Sequence, residues 1–315
     1  MFDMPYGVYF IGMFCSLKGL IKLSSFDFPP LFKFRNVNKF TLESIANNEI
    51  WFANIDSLND PFELFYKVIF DLDEHNIDSF FKLMVDVGDD REKYNKLNVD
   101  ELDSQIKFVR QNLNMISNLP IHIKKNIVVG VNENIQSLNK QMLKKIREDT
   151  KLFCLSTVDS HPLLWGHYAN GMRGICIEYD FNKQKIAPYF GSCYVEYKEK
   201  PLILKVADFI QRNHHINDFS EEIFGTKNTS WRYEKEFRLI ATGDHWTGNK
   251  YKLSEGVIKS IVIGEFIDSQ DLDKLLKVVD GTDIELKIAV AEPEFFRTKT
   301  IPYSASFFES MSCQS

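Results

Sequence analysis

The feature that most restricts the fold is a change of period along the chain. "KLFCLST", "GICIEYDF", "CYVEYK", "IKSIVIG" and "IELKIAVAE" are short, apolar and β-branched, the pattern of strands. From about 71 to 151 the pattern switches. That stretch is charged, nearly free of Gly and Pro, and repeats its apolar residues at helical spacing in "IDSFFKLMVDV", "VDELDSQIKFVRQNLNMI" and "NENIQSLNKQMLKKIRED". Two to four helices packed outside a sheet are expected there. Elsewhere strands and helices mix without strict alternation, so the predicted class is α+β, with a mixed, largely antiparallel central sheet and a helical insertion. The domain reading is an N-terminal extension over 1–30 and one α+β domain over 31–315.

Composition supports a large core. The chain has 315 residues, 44% of them hydrophobic, including 27 Phe. A net charge of −6 argues against a protein wrapped broadly around phosphates and favours small-molecule or protein targets. The five cysteines are scattered, odd in number and without a CxxC pair, which reads as a reduced, cytoplasmic protein without a zinc site. The opening "MFDMPYGVYFIGMFCSLKGLIKL" has an apolar run, Val8 to Cys15, too short to span a bilayer, so no membrane span is expected. His75, His122, His214, His215 and His245 lack partners at ligand spacing and are assigned to the surface. No Walker, GxSxG, HExxH or Rossmann pattern occurs, and "GNKY" and "GTKN" are too short to carry a motif.

Three segments carry candidate chemistry. In "WRYEKEFRLI", read as a strand, Arg232, Glu234, Glu236 and Arg238 share one face, while Trp231, Tyr233, Phe237 and Leu239 share the other. Two carboxylates at i and i+2 can divide duties, one stabilising a cationic sugar and the other orienting a nucleophile; a solvent-facing ladder neutralised by the arginines is the alternative. "HPLLWGHYANG" is a short helix with Pro162 at its first position. It offers Trp165 and Tyr168 for stacking on a planar ligand and His167 for proton exchange, or else a packed helix. "FKFRN" ends a strand on Arg35, whose planar fork suits phosphate or carboxylate, and Asn59 and Asp60 of "SLNDPFE" either line a pocket or build a turn.

Four blocks, "LFKFRNVNKFTLESIANNEIWFANIDSLNDPFE", "FCLSTVDSHPLLWGHYANGMRGICIEYDF", "SWRYEKEFRLI" and "SIVIGEF", resemble in this order a bacterial family of unknown function, DUF2971, related to abortive-infection proteins of the AbiG type. "LFKFRNVNKFTLESIANNEIWF" and "YEKEFRLI" are also similar to the opening strand and the Glu-x-Glu strand of ADP-ribosyltransferase folds. Lys33 stands at the position those folds give to His. That second resemblance implies NAD as cofactor, with Arg35 on the dinucleotide, Tyr168 or Trp165 stacked on a ring, Glu236 catalytic, Glu234 positioning the acceptor and Arg238 holding Glu236 ionised. Together the resemblances imply an anti-phage defence or toxin-type effector. A nuclease-type, nucleic-acid-directed toxin and a non-enzymatic sensor of a phage component or nucleotide are the alternatives. The expected site is a cleft between the 33–35 strand, the 165–168 helix and the 234–238 strand, with no metal.

Overall fold

The structure, a computed structural model, describes residues 27–87, 100–184, 190–211, 217–242 and 248–312. The extension reading over 1–30 therefore lies almost wholly outside the described residues, as do Cys15, Cys313, His214, His215 and His245.

The central sheet has nine strands. Its order is β15 (Arg297–Pro302), β14 (Glu285–Glu292), β13 (Ile258–Gly264), β6 (Ile175–Tyr179), β1 (Leu31–Arg35), β5 (Thr150–Ser156), β11 (Glu236–Thr242) and β7 (Phe190–Tyr194), with β3 (Ala53–Asn54) paired to β5. Only β13 and β14 run parallel; the other neighbours are antiparallel. Three two-stranded ladders join β2 (Glu49–Trp51) to β12 (Lys250–Lys252), β4 (Tyr66–Ile69) to β9 (Leu202–Lys205), and β8 (Glu196–Lys198) to β10 (Thr226–Asn228). The predicted "CYVEYK" strand is thus two, β7 and β8, separated at Val195.

The helices among the described residues are α1 (Lys39–Ala46), α2 (Ile77–Val87), α3 (Asp100–Ser117), α4 (Ile121–Asp149), α5 (Pro162–Tyr168), α6 (Val206–Gln211), α7 (Asn217–Gly225), α8 (Ser269–Val279) and α9 (Ala305–Ser312). Among the described residues α2, α3 and α4 make up most of the predicted insertion, and strand structure resumes at Thr150. None of the described helices is long and apolar enough to cross a membrane.

The alternation of β11 explains its place in the core. Phe237, Leu239 and Ala241 enter one apolar layer with Leu31, Phe153, Ile177 and Ile261, beneath Leu272 and Leu275 of α8. Ile240 faces the opposite layer with Leu64, Tyr66 and Ile146 of α4. Next to that layer, Trp165 of α5 packs with Phe34, Cys176 and Val262. Burying such side chains stabilises by roughly 1.5–3 kcal/mol each.

Two irregularities position the site. β1 and β5 share a single register pair, Phe32 with Ser156, whereas β1 and β6 share five. The sheet opens between β1 and β5, and Lys33 Nζ reaches across the opening to the Cys154 carbonyl at 2.5 Å. After α5 the chain turns through left-handed Asn170, Gly171 and Met172. It is then tied to β13 by the bond from Gly264 N–H to the Gly174 carbonyl, 3.0 Å. A Cβ on Gly264 would lie 2.1 Å from the Met172 carbonyl oxygen, and one on Gly174 would lie 2.3 Å from that of Arg35. Glycine is required at both because backbone meets backbone.

The strand expected over 231–240 is corrected. It begins only at Glu236; Thr229–Glu234 form a 3₁₀ turn capped by Asn228, whose side chain accepts from Ser230 N–H at 3.0 Å. Lys235 is left-handed, at φ 45°. β5, the partner strand, ends at Ser156 opposite Glu236, so no ladder exists to extend the strand backwards. Arg232 consequently lies exposed and outside any charged face.

Candidate functional site

A cleft of about 550 Å³ occupies the opening between β1 and β5. Of the residues expected there, Arg35, Asn59, His167, Tyr168, Glu234 and Glu236 line it. Three do not. Trp165 is wholly buried, edge-to-face on Phe34 at 5.2 Å, with its indole N–H spent on the Asp159 carbonyl; it is core, and Tyr168 alone of the two aromatics reaches the cleft. Arg238 lies beneath the cleft floor with no exposed surface. Asp60 is buried against a second, smaller cavity on the far side of the 57–65 turn.

The two glutamates meet although they do not share a strand. The 3₁₀ turn and the left-handed Lys235 bring Glu234 back beside the start of β11, and both carboxylates converge on Lys227. Its Nζ donates to Glu234 Oε2 at 2.5 Å and to Glu236 Oε2 at 2.9 Å. The Lys227 ammonium also lies 4.8 Å from the Trp231 ring centroid. Tyr168 OH donates to Glu234 Oε1 at 2.5 Å, and Asn59 donates to that hydroxyl at 3.3 Å. His167 Nδ1 is 2.9 Å from Tyr233 OH, at the rim.

Below the floor, Arg238 spends its whole guanidinium. It donates to Glu236 from Nε and Nη2, to Glu63 from Nη1 at 2.6 Å and Nη2 at 3.1 Å, and to the Phe224 carbonyl at 2.6 Å. The insertion contributes here: Arg147 of α4 donates to the Glu63 carbonyl at 2.6 Å and pairs with Asp56, fixing the turn that delivers Glu63. The surface-ladder alternative is therefore excluded for Glu234, Glu236 and Arg238, which are all buried. Buried ion networks cost desolvation, and removing one partner is expensive.

The environment drives the two glutamates apart. Burial works to raise the Glu236 carboxyl, but the charges of Arg238 and Lys227 outweigh it and hold the group well below the usual carboxylate range. Glu234 moves the other way: burial raises it and adjacent Glu236 adds to that, against the opposing pull of Lys227. Lys227 is held protonated because the two carboxylates overcome its burial. On the opposite wall, burial and neighbouring Arg35 lower Lys33 to about 8. The cleft is bipolar, with Lys33 and Arg35 on one wall and the glutamates on the other. Carboxyls separated in this way mark acid–base pairs.

Sequence reasoning missed Lys227 and Glu63. Lys227 sits in "GTKN", set aside as too short; only the β8–β10 ladder brings it to the glutamates. Glu63 belongs to a stretch read as a turn. The Asn-Thr-Ser cap at 228–230 was the one local signal that could have ended the 231–235 strand reading. Among the described residues no group of His, Cys, Asp and Glu has metal-binding geometry.

No curated protein and no solved structure matches the chain. Residues 164–239, which hold Tyr168, Lys227, Glu234, Glu236 and Arg238, match the family model described as protein of unknown function (DUF2971), the family named by the sequence resemblance.

Proposed function

We propose that the cleft binds a nucleotide and carries out ADP-ribosyltransferase-like, NAD-using chemistry. The observation that carries this reading is the bipolar cleft. NAD, with an anionic pyrophosphate linking its two nucleosides and a cationic nicotinamide ring on one ribose, matches Lys33 and Arg35 on one wall and two carboxylates on the opposite one. A volume of about 550 Å³ lies within the ~300–1,000 Å³ range of small-molecule sites.

In this reading each group has a separate task. The bond between ribose and nicotinamide breaks with its electron pair on the departing base, and Glu236, kept ionised, offers fixed negative charge to the sugar. Glu234, whose proton affinity is raised, takes the proton that the acceptor's O–H or N–H loses as it attacks. Tyr168 orients Glu234, and Lys227 fixes the spacing of the two carboxylates. Defence against phage is the setting that the resemblance to abortive-infection proteins implies for such an activity.

The test is release of free nicotinamide from NAD, together with mass spectrometry for ADP-ribosyl adducts in a lysate. Glu234→Gln should lower release by about 10²-fold or more, as for other positioned bases, measured well below the variant's own melting temperature, since the change also removes a partner of buried Lys227. Wild-type protein that releases no nicotinamide above the uncatalysed blank, with water and lysate both supplied as acceptors, would sink the proposal.

A further inference from the structure

The 57–65 turn separates the main cleft from a second cavity of about 220 Å³, and Lys227 is the one residue that lines both. The walls of this cavity are unlike those of the first. Phe62 and Phe65 are 67% and 44% exposed, with ring centroids 6.4 Å apart and planes at 73°. Pro201 adds a third apolar surface. At the base lies Asp60, 4% exposed, whose Oδ1 accepts only the Phe62 N–H, at 2.9 Å, among the bonds of the described residues. Thr226 lines the same cavity, and its hydroxyl is buried with no hydrogen-bond partner among them. Lys198 and Lys200 stand at the rim.

We infer that this cavity is a binding site for an amino-bearing nucleobase, adenine or cytosine, with the ring against Phe62 and Phe65 and its exocyclic amino group donating to Asp60. The cavity suits one flat ring. Exposed phenylalanine faces gain most by covering a π-surface, and a base has one whatever its sequence context. A buried carboxylate seeks a donor, and among base edges the exocyclic amine supplies it, as in acidic side chains that accept from cytosine N4. The unpartnered Thr226 hydroxyl would meet a ring nitrogen, removing the cost of leaving it unsatisfied. Lys200 offers a cation to a phosphate attached to the base, whereas Lys198 is paired with Glu196 at 2.9 Å and Glu199 also lines the cavity.

The role of this site as the acceptor side of a transfer rests on the proposed function; its capacity to hold a base does not. The shared Lys227 puts a base held there near Glu234, the group that takes the acceptor's proton in that reading.

Isothermal titration of the whole protein tests the binding directly. Adenosine should bind, and inosine, which carries a carbonyl in place of the amine, should bind about tenfold more weakly. Phe62→Ala, a change at a mostly exposed ring, should weaken adenosine about tenfold, as expected for loss of one stacking face. Asp60→Asn keeps an acceptor for the Phe62 N–H and should erase the preference for adenosine over inosine. Adenosine monophosphate and a short single-stranded oligoadenylate separate a free nucleotide from a strand; tighter binding of either at a Phe62-dependent site supports the inference and names the source. Adenosine binding that survives Phe62→Ala but is lost in Arg35→Ala would place the base in the main cleft and overturn it. So would no binding of adenosine or cytidine at all, or tighter binding of N-acetyltyrosine amide, which would make the occupant a protein side chain. Absence of nicotinamide release alongside Phe62-dependent adenosine binding would refute the transferase reading and leave this site standing.

Discussion

Replacing Lys227 by Met keeps an unbranched apolar side chain of similar length and removes the charge that joins Glu234 to Glu236. Glu236 retains Arg238, at 2.8 Å, but Glu234, with a side chain 8% exposed, is left with the Tyr168 hydroxyl alone. Breaking a buried ion pair from one side costs about 3–5 kcal/mol. The carboxyl can instead take up a proton: at pH 7, about 2.7 pH units above an ordinary glutamate at about 1.36 kcal/mol per unit, this costs about 3.7 kcal/mol. The two routes agree on a loss of about 3–4 kcal/mol at pH 7. The second route fixes the pH dependence. In the variant, Glu234 has a folded-state affinity for protons raised further above its unfolded value, so the penalty is absent below about pH 4 and grows as pH rises. Glu236 is depressed, so its own contribution is present above the unfolded value and lost as pH falls through the acid range, in wild type and, through Arg238, in the variant alike. The gap between variant and wild type should therefore shrink from about 3–4 kcal/mol at pH 7 to about 1 kcal/mol at pH 5. Urea unfolding followed by tryptophan fluorescence at pH 5, 6, 7 and 8 measures it. A gap below about 1 kcal/mol at pH 7, or one that stays constant across the series, would refute the claim that Lys227 holds two buried carboxylates.

Lys33 titrates near 8 in the folded protein, so affinity for an anionic ligand such as ADP should fall by about tenfold between pH 7 and 9, the worth of one charge-assisted hydrogen bond, and Lys33→Met should abolish that pH dependence in a calorimetric titration. With its folded-state value lowered, protonated Lys33 opposes folding, so stability should rise with pH from about 8 towards the ordinary lysine value of about 10.4, a rise that Lys33→Met removes. Gly264→Ala would force a methyl against the Met172 carbonyl and should cost at least about 3 kcal/mol by thermal melting, at the upper end of overpacking effects. A melting temperature equal to wild type would show that the 170–174 turn is free to move.

The sequence by itself determined whatever depends on near neighbours. Period alone separated the helices of 77–149 from the strands around them, because apolar spacing decides which face an element can bury. Pro162 announced α5, and of the face read as Trp231, Tyr233, Phe237 and Leu239 the last two lie on the buried side of β11. A cleft joining "FKFRN", the 165–168 helix and the Glu-x-Glu segment was expected only through the resemblance, not from local pattern; Arg35, Tyr168, Glu234 and Glu236 line one cavity. Tertiary structure alone decided the charge logic. Trp165 and Tyr168 differ by three places, yet one packs on Phe34 and the other reaches Glu234. Glu63 and Arg238 are 175 residues apart and make a bidentate pair. Lys227, in a four-residue stretch without a pattern, became the centre of the site because the β8–β10 ladder carried it there. Electrostatics acts through space over a few ångströms in a medium from which water is excluded, and no local pattern in the chain records which distant charges will share that space.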